Sequence, residues 1–362
     1  MPALSAFWLL PFAGLLTSIA IMPLIAPKIW HNHYGKIAAL WTAAYLVPSA
    51  LTFGVGPMLH DVAHAVILEY IPFILLIAAL FIISGGVRLI GGMAGSPTQN
   101  LAVLAFGTFL ASIIGTTGAA ILLIQALLVA NSWRIHRTHL VIFFIILVGN
   151  IGGSLSPIGD PPLFVGFLKG VDFFWPTVNM LAPMLVCAIP LLALFYLVDR
   201  RYHAREAGRP PAHTEPFRME GGINLLFVAG VVGAVLVSGV WQPGPAFSVM
   251  GIPVETESLA RALFLILMAG LSWMLTPQAL REANEFSWEP ILEVAKLFIA
   301  IFITIIPVLA IIAAGHNGVA APLIDVMSHN GQPIPAFYFW VTGGLSAFLD
   351  NAPTYLVFFR AV

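Results

Sequence analysis

Windows of about twenty apolar residues recur along this chain. No other feature constrains its fold as strongly, because a segment of that length crosses the hydrocarbon core of a bilayer as an α-helix. The windows place uninterrupted spans near 3–24, 36–53, 70–91, 173–198, 222–241, 259–275 and 291–314, and one interrupted span at 140–168. With 362 residues, 60% hydrophobic and only 9% charged, the chain reads as an all-α polytopic membrane protein rather than a soluble domain with one core. A net charge of -1 carries no nucleic-acid signature, and the single cysteine, Cys187, rules out a disulfide framework and reads as a buried, inert thiol. Met1 to Leu24 has no Lys or Arg ahead of its apolar run and no small-x-small cleavage site, so it is expected to be kept as the first span.

Inside 140–168 the two apolar arms are separated by Gly149-Asn150-Ile151-Gly152-Gly153-Ser154-Leu155-Ser156-Pro157-Ile158-Gly159-Asp160-Pro161-Pro162. Gly152, Gly153 and Gly159 together with Pro157, Pro161 and Pro162 forbid a continuous helix there. Irregular backbone at bilayer depth is tolerated only inside protein or beside a wet cavity. The expected product is a broken helix whose loop presents Asn150, Ser154, Ser156 and Asp160, and an intramembrane carboxylate is costly enough to mark function. The plainer reading makes Asp160 an N-cap followed by proline at N1. That reading explains neither Asn150 nor the Gly152-Gly153 pair, and the two roles can coexist. Two further apolar segments, 101–130 and 336–362, are interrupted midway by Gly115-Thr116-Thr117-Gly118 and by Asp350-Asn351-Ala352-Pro353. Each reads as a re-entrant hairpin of two half-helices.

Orientation follows from the basic residues. Lys28, Lys36, Arg134, Arg137, Arg200, Arg201, Arg205, Arg209, Arg218 and Arg281 fall on one side if both hairpins return to the side they entered from, whereas 242–258 carries Glu255 and Glu257 and no Lys or Arg. The basic loops are therefore expected in the cytoplasm, with Met1 outside. In that orientation 70–91 crosses inward before its hairpin and 291–314 crosses outward before the other, an inverted repeat of the kind that places a transporter's binding site at the midplane. Thr116 to Leu122 aligns without gaps on Asp350 to Leu356, polar tip on polar tip.

Of the 16 acidic residues only Asp160 and Asp350 lie well inside apolar segments, and both sit at breaks. A small hard cation such as Na+ wants several oxygen ligands, which Asp160 with Asn150, Ser154 and Ser156, and Asp350 with Asn351, Thr116 and Thr117, can supply alongside unwound carbonyls. Desolvation raises a carboxyl pKa and a bound cation lowers it, so such a group can trade a proton for an ion, which is the logic of Na+/H+ antiport. Gly115, Gly118, Gly152, Gly153, Gly159, Pro157, Pro161, Pro162 and Pro353 are expected to shape the breaks. No catalytic residue and no cofactor is expected, Na+ and H+ being cargo. Ser84-Gly85-Gly86 reads as a close helix-packing surface. His60 and His64, four apart, read as an interfacial face, and His31, His33, His136 and His139 as membrane-edge residues. Two intramembrane aspartates also suit an aspartyl protease, but the expected Gly-x-Gly-Asp is here Pro157-Ile158-Gly159-Asp160. A channel would need no inverted repeats.

The Asn150-Ile151-Gly152-Gly153 and Pro157-Ile158-Gly159-Asp160 motifs, with Gly115-Thr116-Thr117 and Asp350-Asn351-Ala352-Pro353, resemble the ion transporter superfamily, specifically its branch of NhaD-like sodium/proton antiporters and citrate transporters, over nearly the whole chain. The resemblance implies an elevator-type secondary transporter, commonly a homodimer, in a bacterial-type inner membrane. It implies scaffold spans at 1–69 and 171–289, the latter with a cytoplasmic loop at 199–221. It further implies transport elements at 70–170 (hairpin 101–130, broken helix 139–170) and 290–362. Dicarboxylate-transporting relatives carry Ser-Asn-Thr at both tips, whereas here the tips read Gly-Thr-Thr and Asp-Asn-Ala, which favours a cation over citrate or another carboxylate as the cargo. Members extend about a hundred residues further, so the second transport element is expected to be C-terminally incomplete.

Overall fold

The computed structural model describes residues 4–91, 93–206, 208, 216, 218–329, 332–347 and 351–359. Its helices, in order, are α1 (Ala6–Ile25), α2 (Pro27–Phe53), α3 (Val55–Ser84), α4 (Pro97–Ile114), α5 (Thr116–Ala130), α6 (Thr138–Leu155), α7 (Pro161–Leu168), α8 (Trp175–His203), α9 (Ile223–Val240), α10 (Thr256–Leu275), α11 (Gln278–Ala283), α12 (Glu289–Ala313), α13 (Ala321–Met327), α14 (Pro335–Ser346) and α15 (Asn351–Phe359). Among the described residues nine of these are long and apolar enough to cross a membrane, and the only sheets are two-stranded. The chain is an all-α polytopic membrane protein. Backbone polar groups that lipid cannot satisfy are satisfied within each helix, which is why the apolar windows fold this way.

Several boundaries differ from the sequence expectation. The second span starts at Pro27 rather than Lys36, because Pro27 is well placed at N1 and the His and Lys residues that follow are compatible with a helix. The third span is part of a longer helix that begins at Val55 and stops at Ser84, where Gly85 and Gly86 turn the chain. The first arm of the hairpin is longer than a half-helix. The eighteen residues of α4 rise about 27 Å, close to the thickness of the hydrocarbon core. Cys187 is exposed rather than buried, on the largely uncovered helix α8.

By contact density the chain divides into two units. The first holds residues 1–74, 247–254 and 288–362. Here Trp8, Tyr45, Ile303 and Ile311 form a buried core, Phe73 stacks on Phe298 at 4.6 Å, and the Tyr70 hydroxyl donates to the Ala295 carbonyl at 3.0 Å. The second holds 75–246 and 255–287 and contains the α4–α5 hairpin and the broken helix. In it the end of α3 is tied down by side chains. Arg281 donates to the Ile82 carbonyl at 2.7 Å, Asn224 to that of Gly86 at 2.8 Å, and Asn284 to those of Gly85 and Val87. A Cβ on Gly85 would sit 2.5 Å from the Phe286 ring and one on Gly86 2.6 Å from the Asn224 amide, so this glycine pair is a packing surface. Burial pulls the Arg281 guanidinium below its ordinary value.

Candidate functional site

The α4–α5 hairpin turns at Gly115, whose φ of 82° belongs to the left-handed region that glycine occupies without strain. Opposite it, α6 stays helical past the expected start of the loop. Residues Ile145–Asn150 form a π-helical turn and Ile151–Leu155 a 3-10 turn, so Asn150 to Gly153 are wound, not open. A π-turn followed by a 3-10 turn is a common marker of a functional interruption. The break proper is 156–160. It opens at Ser156 in extended backbone (φ -149°, ψ 158°) and closes at Asp160, from which α7 starts with Pro161 and Pro162.

Ser112 of α4, which the sequence reading did not single out, ties this break to the hairpin. Its hydroxyl donates to the Gly152 carbonyl and accepts from the Leu155 amide at 3.2 Å, while the Ser156 hydroxyl donates to the Ser112 carbonyl and accepts from the Gly159 amide at 3.1 Å. At the tip, the Thr116 amide donates to the Gly159 carbonyl at 3.1 Å. The fit leaves no space for side chains on Gly152 or Gly159. A Cβ on Gly152 would lie 2.7 Å from the Thr108 carbonyl, and one on Gly159 would lie 2.2 Å from that of Gly153. A Cβ on Gly118 would meet the Ser84 hydroxyl at 2.5 Å, and that hydroxyl is buried with no hydrogen-bond partner. Serines inside apolar helices give little sequence signal. The spacing of Ser112 from the Gly115 turn, three residues, is the one cue that existed.

Three of the predicted groups come together around Gly153. Within about 3 Å of its would-be Cβ lie the Gly159 carbonyl (2.8 Å), Thr116 Cγ2 (2.9 Å) and Asp160 Cβ (3.1 Å). Asp160 has the extended backbone of an N-cap, and its carbonyl accepts from the Leu163 and Phe164 amides, yet its carboxylate makes no capping hydrogen bond. Capping therefore does not account for the carboxylate. Others of the predicted set are turned elsewhere. Asn150 is exposed and donates to the Ile145 carbonyl at 3.0 Å, Ser154 donates to that of Ile151 at 2.8 Å, and Thr117 is exposed. Asn351 is exposed at the start of α15 and accepts from the Ser346 hydroxyl, while Pro353 is buried on that helix. Asp350 lies outside the described residues. Among the described residues no cluster of three or more His, Cys, Asp or Glu could hold a metal ion.

A second polar centre lies at the open end of the hairpin. Asp199 of α8, fully buried, accepts from Asn100 of α4 at 2.9 Å, from His139 of α6 at 2.8 Å and from Arg134, and Asn100 pairs with Asn131 in both directions. His139, the second residue of its span, is thus a buried partner of the α8 carboxylate. Just outside the spans, the Ile135 and His136 amides donate to Glu206 at 3.0 and 2.9 Å and hold its carboxyl below the ordinary glutamate value of 4.5.

A family model described as "Putative citrate transport" matches residues 1–362. No curated protein and no solved structure matches the chain.

Proposed function

We propose, from the premise that the chain belongs to that citrate transport family over its whole length, that this secondary transporter couples to a monovalent cation at the break in α6–α7. Family and fold together support a multi-pass transporter. The finer reading, exchange of Na+ for H+ across a bacterial-type inner membrane, rests on one observation. Asp160 lies inside apolar sequence at the break, beside Thr116 and the Gly159 carbonyl. A carboxylate in low dielectric that can bind either a proton or a cation is what exchange requires. In this reading Asp350 adds the second carboxylate, residues 70–170 and 290–362 move against scaffold spans 1–69 and 171–289, and two copies form a dimer.

The family description itself favours a second reading, cation-coupled symport of citrate or another carboxylate. One experiment separates the two. In vesicles carrying a preset pH gradient, exchange predicts that added Na+ dissipates the gradient with no organic anion present. Uptake of labelled citrate without such dissipation would establish symport instead.

A further inference from the structure

A cavity of about 370 Å³ lies between α9 and α10. Its walls are apolar and include Gly230, Gly233 and Phe264, and it runs from Gly230 at mid-helix to Trp241 at the end of α9. That is eleven residues, or about 16 Å along the axis. A Cβ on Gly233 would meet nothing within 4 Å, so the missing side chain leaves open space. Two charges line the outer end of the cavity. Arg261 is only 5% exposed, donates to the Ser238 hydroxyl at 2.8 Å and the Ser258 hydroxyl at 3.1 Å, and lies over the Phe164 ring. Glu257, one turn nearer the helix end on the same face of α10, has a buried Oε2 with no hydrogen-bond partner.

We infer that this cavity binds a zwitterionic aminophospholipid, with one acyl chain along Gly230, Gly233 and Phe264, the phosphate at Arg261 and the ammonium at Glu257. The charge order carries the assignment. In such a lipid the phosphate sits next to the glycerol and the amine lies further out. Here the cation lies one turn deeper than the anion, about 6 Å along the axis. A tricarboxylate does not fit, because beyond these two side chains the walls offer almost nothing polar. A buried carboxylate oxygen without a partner is costly, and an ammonium group supplies that partner. A guanidinium pairs with phosphate through charge-assisted hydrogen bonds, and the added acidic residue selects an amine-bearing headgroup.

The test is native mass spectrometry of the full chain purified from membranes containing phosphatidylethanolamine and phosphatidylglycerol. The wild type should retain phosphatidylethanolamine over phosphatidylglycerol by about tenfold, and Gly233→Leu and Arg261→Gln should each lower the retained lipid several-fold. Glu257→Gln should remove the preference for the amine while keeping lipid bound. Gly233→Leu decides the matter even if the Arg261 variant fails to fold, since the new side chain enters open space. Equal lipid retention by wild type and Gly233→Leu would overturn the inference. Unchanged lipid with loss of dimers in Gly233→Leu would also overturn it and give the groove to a second copy of the chain.

Discussion

At Gly159 even one methyl group has nowhere to go, since it would sit 2.2 Å from the Gly153 carbonyl oxygen. Gly152 is confined by the Thr108 carbonyl and by Ala111 Cβ at 2.8 Å. Gly159→Ala and Gly152→Val should therefore each destabilise the packed hairpin by about 1–3 kcal/mol through overpacking. Gly170→Ala, made at a position with open space but a φ of 96°, should cost only the backbone strain. Thermal unfolding in lipid nanodiscs measures the difference, and equal melting temperatures for Gly159→Ala and wild type would show that the break is looser than described. The glycine-rich motif was legible in the sequence as a break, but the reason for its glycines was not. A pattern of glycines announces that something comes close without saying what, and here it is the backbone of α4 and of the break itself. Asn150 illustrates the same limit. Its position beside the motif suggested a ligand, yet the π-turn rotates it outward to bond its own helix.

Among the elements, the hairpin and the broken helix were readable because proline and glycine interrupt apolar runs at known positions. The clamp at their open end was not, since it joins Asn100, Asn131, Arg134, His139 and Asp199 across a hundred residues of chain. Buried charge pairs stabilise little by themselves, but removing one partner strands the other. Arg134→Met should cost about 3–5 kcal/mol by leaving Asp199 buried without its cation. Combining Arg134→Met with Asp199→Leu should recover much of that. A double variant no more stable than the single would mean that the cluster acts through packing alone. A transport cycle that moves 70–170 past α8 has to break this cluster, so its strength bears on where the moving boundary runs. Glu206 adds a pH-dependent anchor to the same loop. Its folded pKa is depressed, so its contribution is complete above the ordinary 4.5 and is lost as pH falls through the lowered value. Protection factors for hydrogen exchange at Ile135 and His136, corrected for the intrinsic rate at each pH, should be high at neutral pH and fall in acid below 4.5. Equal protection at both pH values would show that the carboxylate does not hold these amides.

For the molecule as a whole, composition and hydropathy already specify a helical membrane protein, because lipid leaves a chain this apolar few alternatives. The inverted repeat rests on matching interruptions in the sequence, and the second tip, at Asp350, lies outside the described residues. The proposed chemistry rests on a smaller set of atoms than the sequence offered, with Asp160 at its centre. Reconstituting the wild type and Asp160→Asn side by side in vesicles with an internal pH dye, with Na+ as the only added solute, tests this most directly. Asn keeps the shape and one acceptor oxygen but cannot take up a proton, so architecture and chemistry separate. The account predicts Na+-driven proton movement by the wild type and none by Asp160→Asn at equal protein incorporation. Proton movement of wild-type rate and Na+ dependence in Asp160→Asn would contradict it.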